Sequence, residues 1–358
     1  MHWRILIPMK ISLRRTLRLV LVHLLYWTGL LHLAKRQVAK RGIVVLTFHR
    51  ILPDQSFEQA QSPLGMMVRR SSFESLLEYL RQNCQCVSLD RGSVSAHDSQ
   101  PHRPRVAITF DDGWKDNYQY AFPLLRKFSV PATIFICPGL AGRTNPFWPE
   151  KLVALWRSAQ ATGKLEDLER LLPETSTGLK MDNVSYTCDS LIENLKTVDA
   201  TQRDLFLSCL EQGLRAQPQS SEDPDEAALM DWIDMSQMSH HGITFGSHSN
   251  THQLLPQIPN DLARSELIAS KNAIEAHFQS CHMLAYPNGD CSESVRAAVA
   301  ECGYRYAFLN KPGVWNLQTD SLSIPRINIW EGKLTNRKEH FSKANIEYSI
   351  FWAAYFRR

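Results

Sequence analysis

The chain has 358 residues, 44% apolar and 21% charged, which suits one large globular domain or two modest ones and excludes a disordered or collagen-like chain. The formal net charge is +4, yet residues 1–41 carry nine Lys or Arg and no Asp or Glu, leaving 31 basic against 36 acidic residues for the rest. A body with an acidic excess argues against nucleic acid as a partner. The eight cysteines form no CxxC pair, so neither a zinc ribbon nor a redox pair is expected, and reduced thiols fit a cytoplasmic setting.

The first element is the stretch 17–34 (LRLVLVHLLYWTGLLHLA), apolar but interrupted by Arg18, His23 and His32, with Gly29 inside. Its unbroken apolar runs fall short of the roughly 20 residues that span a bilayer, and no small-residue cleavage site follows it. Basic residues on both sides, with Tyr26 and Trp27 within, favour a helix lying on an anionic membrane surface. A soluble helix packed on the body and a true span or signal anchor are the other readings. The favoured reading expects an inner-membrane-associated protein on the cytoplasmic face, with the periplasmic side left open.

From residue 42 the pattern changes to short β-branched runs separated by helical stretches. Runs 43–48 (IVVLTF), 106–110, 132–136, 243–247 and 283–286 are apolar on both faces, as buried strands are. Helices are expected over 73–81, 123–128, 261–278 and 292–302, the last ending at Gly303. Alternation of this kind predicts an α/β fold with a parallel sheet, open or closed into a barrel. Residues 144–230 break the rhythm with helical patterns and no good strand, and are expected to form a helical insertion over one face within a body of 42–345. The tail 346–358 is aromatic and basic, set either against a membrane or against the body.

Three segments carry chemistry. Thr109-Phe110-Asp111-Asp112-Gly113 ends a strand on two adjacent carboxylates, where α/β barrels place active residues. Their mutual repulsion is offset when one binds a cation and the other moves a proton; an ordinary Asp-Asp-Gly turn is the bland alternative. Next, His248-Ser249-Asn250-Thr251-His252 follows another strand, and one helical turn would bring both imidazoles to one side. Two imidazoles and an Asp form a facial ligand set for zinc or a similar ion. The third is Leu284-Ala285-Tyr286-Pro287-Asn288-Gly289.

Taken together, TFDDG and HSNTH resemble the signature of the polysaccharide deacetylase family, the carbohydrate esterases with a NodB-homology domain. The LAYPNG loop, the opening Leu46-Thr47-Phe48-His49-Arg50 and the late Ile324-Pro325-Arg326-Ile327 are similar to bacterial exopolysaccharide members, in matching order over 42–330. The resemblance implies a distorted parallel (β/α) barrel and a hydrolase that removes N-acetyl groups from a polysaccharide or lipid-linked glycan. It implies Asp112, His248 and His252 as ligands of a divalent ion, zinc foremost, and Asp111 as the base acting on the attacking water. The Tyr286 backbone N–H is implied as an oxyanion donor. The family's usual arginine before the proline motif is replaced by Ala285, and Arg326 is expected to supply that charge. Its usual acid histidine is missing from residues 323–329, which leaves His49 as candidate acid or as a buried structural histidine. Trp114, Phe147 and Trp148 are candidate sugar platforms or core residues, and Lys115, Asp116 and Asn117 candidate cleft residues. A hydrolase of another amide or an O-acetyl ester, or a non-catalytic glycan-binding protein, are the competing readings.

Overall fold

The structure is a computed structural model that describes residues 9–89, 103–144, 147–164, 188–198, 200–214, 227–336 and 338–356, with side chains from residue 17 onward. The basic residues before Arg18 lie outside the described side chains, and residues 165–187 and 215–226 of the expected insertion lie outside the described residues.

Ten strands are described: β1 (Ile43–Phe48), β2 (Arg50–Leu52), β3 (Met67–Arg69), β4 (Gln85–Cys86), β5 (Arg105–Phe110), β6 (Ala132–Ile136), β7 (Ile243–Ser247), β8 (Met283–Ala285), β9 (Tyr306–Phe308) and β10 (Ile327–Asn328). Eight form one parallel sheet in the order β10-β1-β5-β6-β7-β8-β9, with β4 paired to the start of β5, while β2 and β3 pair separately. The sheet curls until its edges meet. Ile324 bridges Phe308 of β9, and three residues later Ile327 pairs with Leu46 of β1. The result is the expected parallel (β/α) barrel.

Strand period decides what faces inward. Ile43, Val45, Ala107, Phe135, Met283, Ala285, Phe308 and Ile324 form the interior cluster. Their neighbours Val44, Leu46, Phe48, Val106, Ile108, Phe110 and Ile134 pack under the outer helices. One small residue makes the interior fit. Gly246 of β7 lies opposite Phe135 of β6, and a Cβ there would meet the Phe135 ring at 2.7 Å.

The helices that matter below are α1 (Met9–Trp27), α2 (Leu30–Ala39), α3 (Arg70–Asn83), α4 (Phe122–Phe128), α5 (Trp148–Ala161), α6 (Cys188–Leu195), α7 (Ala200–Leu214), α8 (Trp232–Ser239), α9 (Asn260–Glu275) and α10 (Glu293–Glu301). Among the described residues, helices and no main-sheet strand lie between β6 and β7. There α5, α6 and α7 share a separate apolar cluster built on Leu152, Leu155, Ile192, Leu195, Leu207 and Leu210.

The N-terminal segment differs from a single helix. Gly29, left-handed at φ 77°, ends α1, and α2 departs at 73°. Glycine adopts that conformation without a Cβ clash, so the break falls there. No single described helix is long and apolar enough to cross a membrane, although the bent pair together has the length and composition. Helix α2 is built into the body. Leu31, Ala34 and Val38 are buried, and Lys35 Nζ donates to Tyr79 Oη (3.0 Å) of α3 and lies 3.6 Å from Glu347. The C-terminal residues Ile350, Phe351 and Ala354 are buried too, and Arg41 donates to the Tyr355 carbonyl.

Candidate active site

Strand β5 delivers Ala107, Thr109 and Asp111 to the barrel interior by alternation. A regular strand would send Asp112 to the opposite face. Instead Asp112 and Gly113 take left-handed backbones (φ 73° and 85°), which ends the strand and leaves both carboxylates lining one cavity of about 680 Å³. Aspartate tolerates that conformation better than most residues, and the strain is of the kind that gathers at functional sites.

Asp111 is locked from behind by Arg326, the residue before β10. Two parallel bonds of 2.7 Å join Nη1 to Oδ1 and Nη2 to Oδ2, and Nη1 and Nε also reach Thr109 Oγ1 and the Leu309 carbonyl. Burial alone would raise the Asp111 pKa. Arg326 first, then His248 and His49, reverse that and hold the carboxyl well below the usual range. Arg326, 1% exposed, also sits over the rings of Phe135 (5.4 Å) and Phe308 (6.0 Å). The charge absent at Ala285 thus arrives from the other end of the sheet.

Asp112, His248 and His252 present ligand atoms within 4.8 Å of one another. Asp112 Oδ1 stands 3.5 Å from His248 Nε2 and 3.4 Å from His252 Nε2. This Oδ1 is buried without a hydrogen-bond partner among the described residues, while Oδ2 accepts from Trp114 Nε1 at 3.0 Å. His248 Nδ1–H donates to the Ala285 carbonyl (2.8 Å), which turns Nε2 toward Asp112. Burial pushes the enclosed His248 down to about 4, and His252, a quarter exposed, moves the same way. Imidazoles kept neutral beside a carboxylate with an idle oxygen fit a divalent cation.

The histidines do not meet on a helical turn, as their spacing suggested. The segment is a loop in which Ser249 and His252 are both left-handed (φ 59° and 62°). Glu266 of α9 shapes it: Oε2 accepts the N–H groups of Asn250 and Thr251 (2.9 and 2.8 Å), and Oε1 accepts from Thr251 Oγ1. A glutamate on an amphipathic helix carries no local mark of such a role. Only its 8% exposure reveals it.

His49 lines the cavity with Nε2 4.0 Å from Asp111 Oδ2, and its Nδ1 is buried without a partner among the described residues. Tyr286 departs from expectation. Its N–H is spent on the Phe308 carbonyl (3.1 Å) because the residue still belongs to the β8–β9 ladder, and its hydroxyl donates to the Leu322 carbonyl. That N–H, expected as an oxyanion donor, is thus already engaged within the sheet. Two residues on, Asn288 lines the cavity with a left-handed backbone (φ 60°).

Trp114 is no platform: it is fully buried against Phe147 and Leu229. Phe147 sets its ring near His252 (centroids 4.9 Å), and half-buried Trp148 and Trp330 line the cavity, the latter unforeseen from sequence. Lys115, Asp116 and Asn117 turn away from it. They bond Asp234, Arg50 and the His49 carbonyl, which stiffens the loop.

The profile of the polysaccharide deacetylase family matches residues 98–172 and 214–307. The Bacillus subtilis protein YxkH, a polysaccharide deacetylase by name, is 21% identical over 284 residues, covering 78% of this chain and 72% of that protein. A poly-beta-1,6-N-acetyl-D-glucosamine N-deacetylase of Staphylococcus aureus is 25% identical over 119 residues, 31% of this chain and 41% of that enzyme. Among solved structures, the Streptococcus pyogenes deacetylase PplD superposes with a TM-score of 0.52 at 19% identity, covering 81% of this chain and 92% of that one. A de-N-acetylase from Aggregatibacter actinomycetemcomitans gives 0.53 at 12% identity, covering 86% and 99%. These superpositions carry the fold, and the sequence matches carry the relationship. Over the matched residues the chain carries a polysaccharide deacetylase domain, and the relatives indicate a hydrolase of the N-deacetylase class.

Proposed function

We propose that this chain is a metal-dependent deacetylase that frees amines on an N-acetylated amino-sugar glycan, a polysaccharide or a lipid-linked precursor. The carrying observation is the convergence of Asp112, His248 and His252 beside an Asp111 whose charge is fixed by Arg326. Those three residues would hold the ion, and zinc suits two imidazoles and a carboxylate with an open position. When bound, the ion supplies Lewis acidity and makes water a better nucleophile.

The chain's own groups do the rest. Asp111, ionised at neutral pH, accepts the proton of the attacking water. His49, facing the same cavity 4.0 Å away, returns a proton to the leaving amine. With the Tyr286 N–H engaged, the main chain at Asn288 is the proposed donor to the tetrahedral oxygen. Trp148 and Trp330 supply flat faces for sugar rings.

The setting is proposed to be an anionic membrane surface, with α1 lying along it. Leu17, Val20, Leu24 and Trp27 of α1 are more than half exposed, a costly display unless something apolar covers them, and the segment is flanked by basic residues on both sides. The test of the reaction is acetate release from N-acetylglucosamine oligomers, beginning with the β-1,6-linked polymer named for the staphylococcal relative. Release that chelator abolishes and added zinc restores supports the reading. Release indifferent to both chelator and Asp111→Asn overturns it.

A further inference from the structure

Helix α5 opens the insertion with Trp148-Pro149-Glu150, and Glu150 lines the cavity that holds Asp111, Asp112, His248 and His252. The residue is 5% exposed. Its Oε1 accepts from Ser62 Oγ at 3.2 Å, and Ser62 in turn accepts from Arg50 Nη1 at 2.8 Å. Arg50 is itself fixed, paired with Asp116 at 2.9 Å and laid over the Trp114 ring at 4.2 Å. This buried chain sets the plane of the Glu150 carboxyl and uses one of its oxygens. The other, Oε2, is buried and has no hydrogen-bond partner among the described residues. A carboxyl kept for structure alone would have both oxygens satisfied, since an idle buried acceptor is a standing cost. None of the motifs that mark the reaction includes it.

We propose that Glu150 is a recognition residue whose free Oε2 accepts a hydrogen bond from a hydroxyl of the amino sugar seated in the cavity. Glycan hydroxyls are the donors such a substrate offers in number, and a bond to an ionised acceptor is about twice as strong as a neutral one. The inference rests on the deacetylase reading for the identity of the ligand. It assigns part of substrate selection to the helical insertion and leaves hydrolysis to the barrel.

Protonation gives a signature. Burial lifts the Glu150 pKa to about 7, with Arg50 opposing and Asp112 adding to the rise. The other charged or titratable groups around it are Asp111, His49, His248 and His252 in the barrel mouth, Asp189 and Glu193 on α6, and Lys196 just beyond it. Acceptor strength at Oε2 is therefore greater above pH 7 than below it.

The experiment is calorimetric titration of an N-acetylglucosamine tetramer into the full chain carrying Asp111→Asn to halt turnover, with and without Glu150→Gln, at pH 6 and 8. At pH 8 the added substitution is expected to raise Kd about tenfold, and at pH 6 to change it little. The thermal midpoint should not fall, because a neutral amide replaces a buried acid. An unchanged Kd at pH 8 overturns the proposal, as does a midpoint that drops by several degrees with Kd intact, which marks a structural carboxyl. Acetate release by the unsubstituted chain is measured alongside. If release is absent while the Kd difference persists, recognition stands and the deacetylase reading falls. Release with no Kd difference leaves the deacetylase reading standing and removes Glu150 from recognition.

Discussion

Arg326 and Asp111 are 215 positions apart and joined by two hydrogen bonds of 2.7 Å, both side chains almost wholly enclosed. Neither partner is stable there alone. Removing the guanidinium strands a buried carboxylate, which in other proteins costs about 3–5 kcal/mol. Arg326→Met is expected to unfold at a much lower temperature and to lower kcat by about 10²-fold or more, the range for losing a positioned base. Arg326→Lys keeps the charge but not the planar fork, so it should fall between. Equal kcat in all three proteins, measured by acetate release, would remove Asp111 from its proposed role.

Glu266 supports a different prediction, since it never touches the cavity. Its carboxylate holds the two N–H groups that precede His252 and so fixes where that imidazole stands. Glu266→Gln retains size but offers one acceptor oxygen where three bonds now converge. Affinity for a divalent ion should weaken by about 10–100-fold, as is typical when support behind a ligand is lost. Equilibrium dialysis against zinc checks this. Circular dichroism should show an unchanged fold, because the loop lies outside the sheet.

Much of this architecture is legible in the residues, for a physical reason. A parallel strand is buried on both faces, so runs such as IVVLTF announce themselves whatever surrounds them, and five strands stand within a residue of their expected places. The Asp-Asp-Gly ending is readable because a strand terminus, paired carboxylates and a residue free to turn left-handed coincide within three positions. Arg326 is reached through the resemblance, which leaves a charge wanting at Ala285. What cannot be read depends on partners elsewhere. Tyr286 stands in the expected loop, but whether its N–H is free depends on Phe308. Trp114 has the look of a platform until Phe147, Leu229 and Arg50 close around it. Glu150 and Glu266 are ordinary helix glutamates by sequence, given meaning only by what folds against them. The break at Gly29 is within reach of the sequence, since glycine permits the left-handed turn, but the apolar stripe running through it hides the bend.

Glu150 also predicts a pH effect on stability, independent of any ligand. Its pKa is about 7 in the folded chain and roughly 4.3 in an unfolded one. Between those values the native state retains a proton that the unfolded state has released. Stability contributed by this group is therefore full below about pH 4, declines as pH rises through the window, and is gone above 7. Glu150→Gln removes the decline. The variant and its parent should have similar urea midpoints near pH 4.5 and diverge by pH 8, the variant ahead by up to ~3 kcal/mol. Parallel curves across that range would show that the carboxyl is not desolvated.

The exposed row on α1 leads to the last prediction. Trp27 is 82% exposed and Leu24 59%, while their neighbours Val22 and Leu25 are buried against the body. One face of the helix therefore anchors it and the other is bare. Substituting the bare face should leave folding intact, because those side chains make few contacts to lose. Leu24→Glu with Trp27→Glu is expected to keep the thermal midpoint within a degree or two and to abolish cosedimentation with vesicles containing anionic lipid. The unsubstituted chain should cosediment, less at high salt, since each basic residue near such a surface contributes only about 1 kcal/mol and is screened. Binding that survives both glutamates would exclude α1 as the contact. Binding to neutral vesicles with no salt dependence would instead favour insertion of the bent α1–α2 pair, against the buried Lys35–Tyr79 contact that ties α2 to the barrel.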